Sequence, residues 1–169
     1  MIRIFSVSFL ATCALLSTAG IKHDPLLVWN ASASVPIGLY AVRPIGDLAV
    51  TDLVVARPPE PLASWLAERG YLPKGAPLIK RVAGLHGQKI CREGLSVTVD
   101  GIVMTEARER DHASRPLPQW RGCFVLRPGE IFLLNWDEPA SLDGRYFGAF
   151  PIEGLIGRAT PLWTAEVAQ

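Results

Sequence analysis

The chain of 169 residues is long enough for one globular domain of ordinary size, and with 49% apolar and 20% charged residues it is not a disordered polymer. Its 17 basic and 16 acidic side chains leave a formal charge of +1, without the basic excess or stripe that a nucleic-acid binder carries. The 15 glycines and 14 prolines are too many for a helical bundle and suit a turn-rich β domain.

In chain order, the first feature is the apolar run Ile4 to Ala19, preceded by Arg3 and followed by Lys22, His23 and Asp24. Its length lies between a signal-peptide core and a spanning helix, and Ser17-Thr18-Ala19 has the small-x-small form of a cleavage site. A removed signal peptide and a retained membrane anchor both fit residues 1–20, and either carries the single domain 21–169 across a membrane. Short strands are expected at Leu26–Asn30, Gly38–Arg43, Asp52–Arg57, Leu78–Leu85 and Ser96–Asp100. Asp100-Gly101 marks a tight hairpin into Ile102–Met104. Further strands are expected at Ile131–Leu134, Arg145–Phe150 and Leu155–Arg158. Between them, Leu62, Trp65 and Leu66 repeat at helical spacing up to Gly70, predicting one short amphipathic helix. The mixed-charge run Glu106–Arg115 reads as a solvated loop. The fold class is mostly β, with one or two short helices.

Three histidines, His23, His86 and His112, and three cysteines, Cys13, Cys91 and Cys123, show no metal-ligand spacing, so neither a metal nor another cofactor is expected. No nucleophile elbow, phosphate loop or dinucleotide fingerprint occurs. In an exported domain Cys91 and Cys123 are expected to pair, because Cys13 falls in the apolar leader. Of the four lysines, Lys22, Lys74, Lys80 and Lys89, Lys80 stands out inside the apolar run Leu78–Leu85. Facing a core, it would lose proton affinity by desolvation and become a usable general base. Facing solvent on an edge strand, it would be an ordinary charge. Strand alternation places Leu78 and Val82 on its face.

Three ordered segments bear on that choice. Asn30-Ala31-Ser32-Ala33-Ser34-Val35-Pro36-Ile37-Gly38-Leu39-Tyr40 resembles the nucleophile box of the signal-peptidase-like serine peptidases. Lys80-Arg81-Val82-Ala83-Gly84-Leu85-His86-Gly87 resembles their general-base box, and Ser141-Leu142-Asp143-Gly144-Arg145-Tyr146-Phe147-Gly148 their later S-x-D-x-R-Y-x-G box. The Ser-Val-Pro-Ile-Gly-Leu-Tyr form and Gly157 to Trp163 are most similar to the TraF-type conjugal-transfer (pilin maturation) peptidases. The resemblance implies a bent-sheet domain of the signal-peptidase/LexA-like kind after an N-terminal apolar helix. It implies Ser34 as nucleophile, Lys80 as base, and Ser32 as an oxyanion donor beside the backbone N–H of Ser34. By the same resemblance Ser141 holds the lysine, and Asp143 and Arg145 form an orienting ion pair. The chain departs from the commoner signal-peptidase pattern in the shorter Ser34-Val35-Pro36 spacing and in His86 and Gln88, positions that bear on substrate preference. His86 reads as a turn residue.

The function implied is that of a serine endopeptidase at the periplasmic face of the inner membrane, or in the soluble periplasm if the leader is cleaved. Its implied substrate is an exported, pilin-like precursor, released by water or cyclised by its own amino terminus, with no nucleic-acid partner. A general type I signal peptidase and a non-catalytic periplasmic β scaffold of a conjugation or secretion apparatus are the alternatives.

Overall fold

The computed structural model describes residues 24–165. The leader or anchor expected within residues 1–20 lies outside them. Among the described residues eleven strands form two antiparallel sheets. They are β1 (Leu27–Asn30), β2 (Gly38–Arg43), β3 (Leu53–Ala56), β4 (Leu78–Gly84), β5 (Lys89–Glu93), β6 (Ser96–Val99), β7 (Ile102–Glu106), β8 (Gly122–Val125), β9 (Glu130–Leu133), β10 (Phe150–Pro151) and β11 (Leu155–Thr164). The larger sheet runs β1-β2-β11-β3-β4-β9-β10 and the smaller β7-β6-β5-β8. Register shifts between β4 and β9, and twice along β11, bend the larger sheet. The fold is mostly β, as its turn-rich composition requires.

The larger sheet buries Val54, Ala56, Val82, Ile131 and Leu133 together with Phe150. A second cluster, Ala83, Ile90, Val97, Leu126, Phe132 and Leu134, joins it to the smaller sheet. Because β4 is buried on both faces, its apolar run is nearly continuous rather than alternating. At the β6–β7 turn, Asp100 and Gly101 both have positive φ, the conformation that a two-residue hairpin with the right-handed twist demands.

Helix α1 (Glu60–Glu68) starts with Pro61 in its first turn and ends at Arg69, before Gly70 in the left-handed region. A second helix, α2 (Gly144–Phe147), occupies most of the segment expected as the strand Arg145–Phe150. Asp143 caps it by accepting the Arg145 N–H, and Gly148, at φ 75°, turns the chain out, leaving only Phe150 and Pro151 for β10. Three further differences from the expected pattern have local causes. β5 contains Arg92, which is 1% exposed, so its charge hides a strand that is buried on that face. β11 runs on to Thr164 because it pairs with β2 and with β3 in succession. The run 106–115 is not merely solvated: Ala107 is buried, and Asp111 accepts hydrogen bonds from the Tyr71 hydroxyl and the Arg115 guanidinium. Burial works against charge on Asp111, but these donors hold its carboxyl well below the usual range.

Cys91 and Cys123 face each other across β5 and β8 and are joined by a disulfide of S–S 2.06 Å. His86 sits exposed at a turn, its Nδ1 3.0 Å from the Leu126 carbonyl.

Candidate active site

The loop between β1 and β2 carries Ser32 and Ser34, and its shape depends on one amide. The Asn30 Nδ2 donates to the carbonyls of Ser32 at 2.7 Å, Val35 at 3.0 Å and Pro36 at 3.2 Å. Its Oδ1 accepts from the Ser32 backbone N–H and the Ser32 hydroxyl. From the start of β2, the Tyr40 hydroxyl donates to the Pro36 carbonyl at 2.6 Å. Desolvation pushes the Tyr40 phenol above its ordinary pKa, which keeps it a donor. The two serine hydroxyls lie 2.9 Å apart. Because the Ser32 hydroxyl hydrogen points to Asn30, the Ser34 hydroxyl donates to Ser32 in this arrangement.

Lys80 lies on β4, where the pleat turns its side chain inward beside Leu78. It is 3% exposed, and its Nζ donates to the Ser141 hydroxyl at 2.7 Å. Desolvation dominates its titration, with Arg145 acting in the same direction and Asp143 and Glu138 opposing, so the pKa falls to about 8. Neighbouring bonds hold β4 in place: the Asn135 Oδ1 accepts from the Arg81 N–H, and its Nδ2 donates to the Ile79 carbonyl.

Asp143 and Arg145 form a fully buried pair, Nε to Oδ1 at 2.8 Å. The second Asp143 oxygen accepts from the Asn135 N–H and from Arg145. The guanidinium also donates to the carbonyls of Asn135 and Glu138. Every charge here has a partner, as burial demands. Behind the pair, Arg92 donates to the Arg145 carbonyl at 2.6 Å and lies over the Tyr146 ring.

Ser32, Ser34, Lys80 and Ser141 thus line one cavity of about 230 Å³, with Leu66 and Tyr71 on its far wall. Among the described residues no hydrogen bond joins Ser34 to Lys80 directly; each hydroxyl or amine is held by its own neighbour. A loose nucleophile–base contact is common where no substrate is bound. Chemically, the arrangement sets a hydroxyl and an amine of lowered basicity around one small space, the requirement for nucleophilic acyl transfer.

The sequence reading passed over Asn30 and Asn135 as site residues. A signal for Asn30 was present, since an asparagine two residues before a serine folds its side chain back onto the local backbone. Asn135 had none, because the partners of its side-chain amide lie more than 50 residues away.

Residues 1–163 match the model described as signal peptidase, peptidase S26. The chain belongs to the signal peptidase S26 family. This S26 chain is 37% identical over 145 residues to a probable conjugal transfer protein TraF of Sinorhizobium fredii, covering 80% of this chain and 76% of the relative. It is 35% identical to the conjugal transfer protein TraF of Agrobacterium fabrum, covering 81% and 82%. A solved signal peptidase I from Enterococcus faecalis aligns with 69% of this chain and 99% of its own, at 18% identity and a TM-score of 0.42.

Proposed function

We propose that this S26 chain is a serine endopeptidase with a Ser34/Lys80 dyad, acting on an exported, pilin-like precursor of a conjugation system at the periplasmic face of the inner membrane. The observation that carries the reading is Lys80: buried, held by Ser141, and facing the cavity that Ser34 also lines. At neutral to mildly alkaline pH an amine of pKa about 8 has a sizeable neutral fraction able to take a proton.

The Ser34 Oγ attacks the scissile carbonyl while its proton passes to the Lys80 Nζ. The oxyanion is met by the Ser34 backbone N–H and by the Ser32 hydroxyl, which must rotate away from Asn30 to donate. Collapse breaks the C–N bond, the Lys80 ammonium protonates the leaving amine, and an ester on Ser34 remains. Lys80, neutral again, takes a proton from an incoming water or from the amino terminus of the bound chain. Attack on the ester then releases Ser34, which recovers its proton. Water yields a linear product and the amine a cyclic one.

Co-expression with whichever pilin precursor is encoded nearest to it, followed by mass measurement, tests the reading. Processing is expected with the native chain and absent with Ser34→Ala and Lys80→Arg, since a guanidinium cannot act as a base at working pH. Normal processing by either variant removes the dyad, and a product one water lighter than the linear form identifies cyclisation.

A further inference from the structure

Helix α1 belongs to neither sheet, yet its Leu66 and the nearby Tyr71 form a wall of the cavity that Ser34 and Lys80 share. The segment 107–117, which follows β7, anchors that wall. It folds back on itself through a bridge between Arg110 and Pro116 and a bond from the Leu117 N–H to the Glu109 carbonyl, with Asp111 at the turn. The Asp111 side chain is only 4% exposed. Its Oδ1 accepts from the backbone N–H groups of Ala113 and Arg115, at 2.9 and 2.8 Å. Its Oδ2 accepts from the Arg115 Nε at 2.7 Å and from the Tyr71 hydroxyl. A second tie is reciprocal: the Arg69 Nη1 donates to the Pro116 carbonyl at 2.8 Å, and the Arg115 Nη1 to the Arg69 carbonyl at 3.0 Å. The same guanidinium groups lie over the aromatic rings of this wall, Arg69 over Trp65 at 4.6 Å and Arg115 over Tyr71 at 4.9 Å.

The bonds to Ala113 and Arg115 are local and close the turn by themselves. The bond to Tyr71 spans 40 residues and serves the cavity wall instead. Desolvation, and then the bond to Asp111, push the Tyr71 phenol above its ordinary pKa, so it remains a donor, while Asp111 remains a carboxylate. Lys80 depends on the wall that this bond holds. It is buried, with Leu66, Tyr71 and Leu72 lining the same cavity, and desolvation is the first cause of its lowered pKa. The charged groups that act on it, Asp143, Arg145 and Glu138, all belong to another segment.

We propose that Asp111 is a positioning residue for this cavity: from the 107–117 segment it clasps Tyr71, and through Tyr71 it fixes the wall that closes over Lys80. The effect on rate rests on the dyad reading above; the effect on the Lys80 amine does not. A wall that shifts admits water to the amine and misplaces whatever is presented to Ser34.

Trace acetylation of the full chain with acetic anhydride tests the clasp, read by peptide mass as labelling of Lys80 relative to the exposed Lys89 across a pH series. The native midpoint is expected at about 8. Tyr71→Phe, which keeps the ring, and Asp111→Ala should each move it upward by about one pH unit as water enters. The double variant should move it no further than Asp111→Ala alone, because the same bond is already lost. A role confined to folding would lower the melting temperature and leave the midpoint in place. Both single variants, once folded, should also lower kcat/KM for the precursor about tenfold. A native midpoint in Tyr71→Phe overturns the clasp even if Asp111→Ala fails to fold, and so does a double variant that shows the sum of the two shifts. Normal processing by Lys80→Arg removes the dyad, and the midpoints then decide the clasp by themselves. With the dyad standing, an unchanged kcat/KM overturns the positioning role.

Discussion

On the proposed dyad, Lys80 links activity and stability through one proton. If its neutral form is the base, precursor processing should rise with pH through about 8 and level off above, as a rate–pH profile would read. The linkage to folding has a definite sign. The folded pKa, about 8, lies below the unfolded value, so the unfolded chain binds the proton more tightly and stability rises with pH between them. Lys80→Met should therefore stabilise the fold by about 3 kcal/mol below pH 8, at roughly 1.4 kcal/mol per pKa unit. That gain should shrink as pH climbs toward the unfolded pKa, and denaturant titrations at pH 7 and pH 10 would measure the difference. In the loop bearing Ser34, Ser32→Ala should lower the processing rate on the order of 10²–10³-fold if its hydroxyl donates to the oxyanion. An unchanged rate would leave Ser34 in place and remove that donor. The residue pattern around Lys80 fits a solvent-facing edge strand as readily as a core, and the resemblance of the three boxes is what points to the burial the structure has. The sequence held a local signal for Asn30 but none for the reach of its amide to the Val35 and Pro36 carbonyls.

Among the elements, legibility followed how local the determining contacts are. β2 and β4 were recognisable because runs of β-branched and aromatic residues end at turn residues, whatever lies around them. α2 was not, since Arg145-Tyr146-Phe147 suits a strand until Asp143 accepts the next amide but one and Gly148 reverses the chain. The site depends on that cap. Asp143→Ala would leave the Arg145 guanidinium buried without its carboxylate, at a cost of about 3–5 kcal/mol. Arg145→Ala should cost a similar amount. Thermal or denaturant unfolding checks both, and a change below 1 kcal/mol would mean that water reaches the pair. The three boxes were legible as segments, whereas their meeting was not, because β5–β8 separate the lysine strand from the segment bearing Ser141.

At the scale of the whole molecule, the smaller sheet stands off the cavity lined by Ser34 and Lys80 and is closed by Cys91–Cys123. Its loop of about 30 residues is worth roughly 3–4 kcal/mol on the chain-entropy model. The double variant Cys91→Ser, Cys123→Ser should lose about that much stability yet process precursor at the native rate once folded, read by denaturation and by product mass. A large loss of rate in folded protein would show that the sheet reaches the site through Arg92. The order of strands in the larger sheet also sets an order in time. β1 and β2, which flank Ser34, are made first, and β3 and β4, with Lys80, follow, but β11 lies between the two pairs. Its fit against β2 is close enough that a Cβ at Gly38 would lie 2.1 Å from the Trp163 carbonyl oxygen. Until residues 155–164 are made, no backbone ladder among the described residues joins the strands flanking Ser34 to β3 and β4, and only side-chain contacts such as Val35 and Tyr40 with Val55 and Ile79 hold them together. The cavity that Ser34 and Lys80 share is thus complete only once the last strand made has closed the sheet.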